Sequence, residues 1–77
     1  MSTLDLHGYT VHEAWEEFSQ FIKSEAQDKY RKYSVVITGN GKIQQELPRW
    51  CDTHTFIRNV LPLERGAGFR IYFYRQR

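Results

Sequence analysis

The sequence predicts an α/β domain. It reads as a two-layer sandwich of order β-α-β-α-β-β, with a mixed four-stranded sheet and both helices on one face. Three observations lead there. Two strand-like stretches, Leu4–His7 and Ser34–Thr38, each end at a glycine and each precede a helix-like segment. The segment after the first carries one apolar stripe at helical spacing. The chain closes on a run of strict strand alternation, Phe69–Tyr74.

In Leu4-Asp5-Leu6-His7 apolar and polar residues alternate, so Leu4 and Leu6 share one face, and Asp5 and His7 the other. Thr10-Val11-His12-Glu13 has the form of a capping box, in which a threonine hydroxyl and a glutamate satisfy free amides reciprocally. Val11, Ala14, Trp15, Phe18, Ile22 and Ala26 form the stripe, and Phe21 widens it. Ser34-Val35-Val36-Ile37-Thr38 is rich in β-branched residues, as a covered strand is. After the Gly39-Asn40-Gly41-Lys42 turn a second helix is expected from near Gln44 to Thr53. It would either start late or carry Pro48 in its first turn, where no amide bond is lost. Leu47, Trp50 and Cys51 would face the core. Phe56–Leu63 is a weaker strand and Arg65–Gly68 a turn. Right-handed crossovers over both helices make the first three strands parallel, and the last returns antiparallel to its neighbour.

Composition bounds the function. Seventy-seven residues suffice for one domain, taken as residues 1–77, whose limited core keeps stability marginal. Hydrophobic residues at 40% and aromatics at 16% argue against a disordered chain. The lone Cys51 has no intramolecular disulfide partner, which fits a reducing compartment. No apolar run is long enough to span a membrane. Met1-Ser2-Thr3 leads straight into the first strand and leaves no room for a signal peptide, so a cytoplasmic location is expected.

Charge is unevenly spread. Residues 1–28 hold six acids and one base, a net −5, whereas residues 29–77 hold ten bases and three acids, a net +7. Ordinary solvated surface would account for this. A polyanion partner for the later part of the chain would account for it as well.

Ligands of open α/β sheets bind beyond the carboxyl ends of the strands. His7-Gly8 and Thr38-Gly39-Asn40-Gly41 fall at two such ends, and they form one site if the first two strands are neighbours. Glycines let amides approach a phosphate, the next helix offers its positive end, and Lys42 adds a charge. The Walker A spacing is absent. A plain strand-to-helix turn explains the same four residues. His7 supplies an imidazole, the side chain suited to moving a proton in phosphodiester cleavage. Asp5 could orient it or help hold a divalent metal, magnesium or manganese. Two polar residues on an open face are the simpler alternative. Arg70, Tyr72 and Tyr74 would face away from the helices, suited to base stacking and phosphate contact or to cross-strand packing. No cysteine–histidine cluster has zinc spacing, and neither a serine nor a cysteine catalytic arrangement can be assembled. His12 and His54 stand alone and read as structural or exposed.

These pieces together resemble the Smr (small MutS-related) domain family. Leu4-Asp5-Leu6-His7-Gly8 reproduces its LDLHG motif, and Thr38-Gly39-Asn40-Gly41 its T-G-x-G turn. His12-Glu13-Ala14 is similar to the opening of its first helix. Leu47-Pro48-Arg49-Trp50-Cys51 is similar to its V-P-x-W-L stretch. Gly66-Ala67-Gly68 followed by Phe69 stands where the family has G-G-x-G-A, with Arg65 in place of the first glycine and Phe69 in place of a small residue. The resemblance implies a sandwich like the C-terminal domain of translation initiation factor three. It also implies nucleic-acid binding, with nicking of DNA or cleavage of RNA in various members. Asp5 and His7 then occupy the presumed catalytic motif. Thr38, Gly39, Asn40, Gly41 and Lys42, with Arg65, Gly66, Gly68, Arg70 and Tyr72, are the expected nucleic-acid contacts.

The leading expectation is a phosphodiester endonuclease acting on DNA or RNA. The alternative is a module that docks on nucleic acid or a ribonucleoprotein without cutting, favoured by the divergent third motif. A third class is a protein-interaction domain using the open face. A ribonucleoprotein or repair complex is an expected partner, and the chain would be a monomer or weak dimer.

Overall fold

The structure is a computed structural model and describes residues 3–28 and 32–74. Its elements follow the expected order: β1 (Thr3–Asp5), α1 (Val11–Ala26), β2 (Tyr33–Ile37), α2 (Lys42–Asp52), β3 (Ile57–Pro62) and β4 (Gly68–Phe73). The sheet order is β1-β2-β4-β3. β1 runs parallel to β2, with Leu4 beside Val36. β4 runs antiparallel to both β2 and β3, so the first three strands are parallel to one another. The last strand thus fills the gap between the second and third.

The capping box of α1 forms as its sequence requires. Thr10 Oγ1 accepts from the Glu13 amide at 3.1 Å and Glu13 Oε1 from the Thr10 amide at 3.1 Å. The amide bond at Thr10 holds the Glu13 carboxyl below its ordinary value. The stripe buries Ala14, Phe18, Ile22 and Ala26, while Val11, at the helix mouth, stays exposed. Against it lie Leu6, just past β1, Val36, Phe69, Ile71 and Phe73 from the sheet and Ile43, Leu47, Trp50 and Cys51 from α2. Full burial of one such side chain stabilises by about 2 kcal/mol. Ser34 is the polar intruder on this face, and its hydroxyl donates to Glu25 Oε1 at 2.6 Å.

Three expectations need correction. α2 starts at Lys42, two residues earlier than its pattern indicated, and Pro48 lies in its interior rather than its first turn. Pro48 is exposed, so the Gln44 carbonyl that loses its amide partner is on the solvent side, where water can replace it. β1 ends at Asp5, so His7 belongs to the following turn and not to the strand face it was expected to share with Asp5. β3 is shorter than its sequence pattern and leaves Phe56 exposed outside it. No helix among the described residues is long and apolar enough to cross a membrane.

His54 ends in an aromatic nest. Its ring lies 5.7 Å from both Trp15 and Phe18 and stacks on Phe56 at 6.4 Å. Nε2 is buried without a hydrogen-bond partner among the described residues. Burial, with help from the Lys23 charge, lowers its pKa from the ordinary 6.5. Unfolding frees this ring to take up a proton. Its neutral-state contribution is therefore complete above the unfolded value and is lost as pH falls below it. The thermal midpoint is expected to drop between about pH 7.5 and 5.5, and His54→Phe should flatten that drop. An unchanged slope in the variant would remove His54 as the cause.

Gly68 has no room for a side chain. A Cβ there would sit 2.5 Å from the Val36 carbonyl oxygen and 3.2 Å from Ile37 Cα, both backbone atoms. Gly68→Ala should lower unfolding stability by about 1–3 kcal/mol, the range for overpacking. Urea titration checks this, and an unshifted midpoint would contradict it.

Candidate nucleic-acid site

Parallel pairing of β1 and β2 places both strand-to-helix turns at one edge. The Leu6 amide donates to the Ile37 carbonyl at 2.7 Å, one step beyond the β1–β2 register, so the two chains leave the sheet side by side. Gly8 at φ +87° reverses the first chain, and Gly39 at φ +74° the second. Both conformations favour glycine. Between the turns lies an open cleft of about 380 Å³, lined by residues 7–11 and 38–43. His7, Thr38, Gly39, Asn40, Gly41 and Lys42 are thereby brought together.

The His7 ring lies over Gly39. A Cβ on that glycine would sit 3.6 Å from His7 Cδ2, with nothing else near. His7 itself is exposed. The helix that follows is capped by Gly41, without any side-chain bond. The start of α2, Gly41–Ile43, thus lines the cleft without a side-chain cap, at the positive end of the helix dipole. The mouth of α1 opens onto the same cleft, but there the capping box already engages the Thr10 and Glu13 amides, and Glu13 adds a negative charge. The anion-binding capacity is thus concentrated on the α2 side, beside Lys42.

Asp5 behaves differently from expectation. Its Oδ1 accepts from the His7 backbone amide at 2.9 Å. The carboxylate fixes the turn that carries the imidazole rather than binding the ring. Among the described residues no three His, Cys, Asp or Glu side chains converge as ligands for a metal ion. A divalent ion would find only the Asp5 and Glu13 carboxylates near here, each already engaged by a backbone amide, so the residues do not fit a protein-held ion.

The third motif buttresses the site from behind. The Ala67 carbonyl accepts from the Thr38 and Gly39 amides at 2.8 and 3.1 Å, and from the Thr38 hydroxyl at 3.3 Å. That hydroxyl also donates to the Gly39 carbonyl at 2.9 Å. Thr38 is almost fully buried and serves the turn's shape. Gln44 Nε2 donates to the Gly66 carbonyl and ties α2 to the same loop. Arg65 occupies the third position of a turn closed by the Gly66 amide on the Leu63 carbonyl at 2.9 Å. No residue other than glycine has positive φ among those described, so arginine fits this position without backbone strain. Arg65, Gly66 and Gly68 do not line the cleft. Arg70 and Tyr72 lie on the open sheet face, also outside it.

The structure adds residues that the sequence reading passed over. Tyr9, 44% exposed, and Thr10 and Val11 line the cleft, and Gln44 braces it. An exposed aromatic between Gly8 and a capping threonine was the available signal for Tyr9. Cys51 is excluded as a nucleophile: burial, and secondarily the Asp52 charge, push its thiol up to about 12.

Comparison with known proteins agrees with this architecture. No curated protein matches the chain. Among solved structures, the Smr domain of Thermus thermophilus MutS2 superposes with a TM-score of 0.85 at 18% identity, covering 96% of this chain and 99% of that one. At that identity the likeness concerns the fold. The family model for the Smr domain matches residues 4–69, which span the capped first helix, both glycine turns and the loop that braces them, and the chain belongs to the Smr domain family.

Proposed function

We propose that the cleft binds a nucleic-acid phosphate and that the chain is an endonuclease, nicking DNA or cleaving RNA there. The observation that carries this reading is the His7 imidazole lying over Gly39, at the mouth of a helix without a side-chain cap. A phosphate held by the Gly41–Ile43 amides and Lys42 would lie within reach of an exposed imidazole. On RNA, His7 takes the proton of the ribose 2′-hydroxyl, the freed oxygen attacks phosphorus, and the P–O bond to the next nucleotide's 5′-oxygen breaks as that oxygen takes the proton back from the His7 imidazolium. The products are a 2′,3′-cyclic phosphate and a free 5′-hydroxyl. Asp5 is a positioning residue in this scheme, because its carboxylate acts on the turn and not on the ring.

A second reading is a binding module that grips nucleic acid or a ribonucleoprotein without cutting. It is favoured by the engagement of Asp5 with the backbone, which leaves the His7 ring without an orienting carboxylate. Affinity that falls steeply with salt, with no cleavage product under any divalent metal, would decide for it.

The experiment is incubation of the purified chain with labelled single-stranded RNA and with nicked or branched DNA. His7→Ala should slow cleavage by about 100-fold or more, the contribution of a general acid or base. Cleavage undiminished in that variant would sink the assignment. Asp5→Asn keeps an acceptor for the His7 amide and should retain most activity, whereas Asp5→Ala should reduce it. Equal losses in both would instead assign a charge-dependent role to Asp5.

A further inference from the structure

On the open sheet face, opposite the helices, the registers arrange residues in three successive rows. Asp5, Ile37 and Gly68 form the row next to the cleft. Val35, Arg70 and Leu61 form the second, and Tyr33, Tyr72 and Asn59 the third. Successive rows are about 7 Å apart, two residues along a strand. The Tyr33 and Tyr72 rings lie 5.6 Å apart at 38°. The Arg70 guanidinium carbon sits over the Tyr33 ring, 5.8 Å from its centre. Tyr33 thus fixes the arginine and abuts the second tyrosine, so the three side chains form one prearranged plate. Arg70 is exposed and both tyrosines are partly so.

We infer that this plate is a second nucleic-acid contact, which takes an unpaired strand leaving the cleft and stacks one of its bases on Tyr72. The inference rests on the cleft being the phosphate site. Stacking on an aromatic ring beside a fixed cation is the chemistry by which single strands are held without sequence preference. A duplex keeps its bases paired inward and offers no base face to the ring. In register, Arg70 lies one row nearer the cleft end of the strands than Tyr72, where it would meet the strand's phosphate. Asp5, the one acid in these rows, already has an oxygen engaged by the His7 amide.

Fluorescence anisotropy tests it, using end-labelled single strands of about ten nucleotides, a series with one abasic position stepped along the strand, and a blunt duplex of the same sequence. Each variant is first shown to be folded by its thermal midpoint. Tyr72→Leu is expected to weaken single-strand binding about tenfold, while Tyr72→Phe, which keeps the ring, stays within about twofold. One abasic position should weaken the wild type by a similar factor and the Tyr72→Leu chain no further. Arg70→Ala should lower the salt slope by about one. Duplex binding should not respond to Tyr72→Leu. Wild type and Tyr72→Leu binding every probe alike would overturn the inference. So would a chain whose dimer dissociates on Tyr72→Leu with anisotropy unchanged, because a second copy then covers the face. Loss of affinity in Lys42→Ala but not in Tyr72→Leu would leave the cleft standing and remove the plate. The reverse pattern would remove the cleft and keep the plate, and wild type binding no probe removes both.

Discussion

The parallel pairing of β1 with β2 is the constraint on which everything else depends. A parallel neighbour requires a crossover, and here the crossover is α1. Once both strands point the same way, both following turns lie at the same edge. Both helices then begin there as well, and the start of each lines the space between the turns. The proximity of His7 and Gly39 follows from this pairing although thirty-one residues separate them in the chain. The hydrogen bond from Leu6 to Ile37 extends the register past the end of β1 and delivers the histidine to the glycine.

The insertion of β4 between β2 and β3 adds the second support. It sets the loop before β4 against the turn after β2, and one carbonyl, that of Ala67, receives three donors from Thr38 and Gly39. The third motif therefore acts on the second by holding its backbone. This accounts for the tolerance of Arg65 and Phe69 where the family has small residues. Arg65 needs no unusual φ, and Phe69 fills the core. Gly68 has no such latitude, because the β2 backbone passes directly over it.

Much of the fold was legible because it is locally encoded. The capping box, the apolar stripe of α1 and the β-branched core of β2 each state their structure within one element. Pro48 was misread because proline disfavours a helix interior on average, whereas this one lies on the solvent side of a helix pinned by Leu47, Trp50 and Cys51. For the candidate site, the residue types were legible and their partners were not. Asp5 and His7 suggested a carboxylate–imidazole pair by their spacing. The turn after β1 instead presents the His7 amide to the carboxylate. Tyr33 carried no signal at all, since its partners Arg70 and Tyr72 come from a strand nearly forty residues away.

By itself the sequence determined the number, type and order of the elements, and the positions where the backbone must turn back on itself. Those follow from periodicity and from the conformational range of individual residues, which act over a few neighbours. The strand order, the burial of Thr38, the backbone role of Asp5 and the tyrosine–arginine plate were decided only in the folded chain. Each is a contact between segments distant in sequence. Such contacts are selected by how the whole core packs, so no local pattern records them.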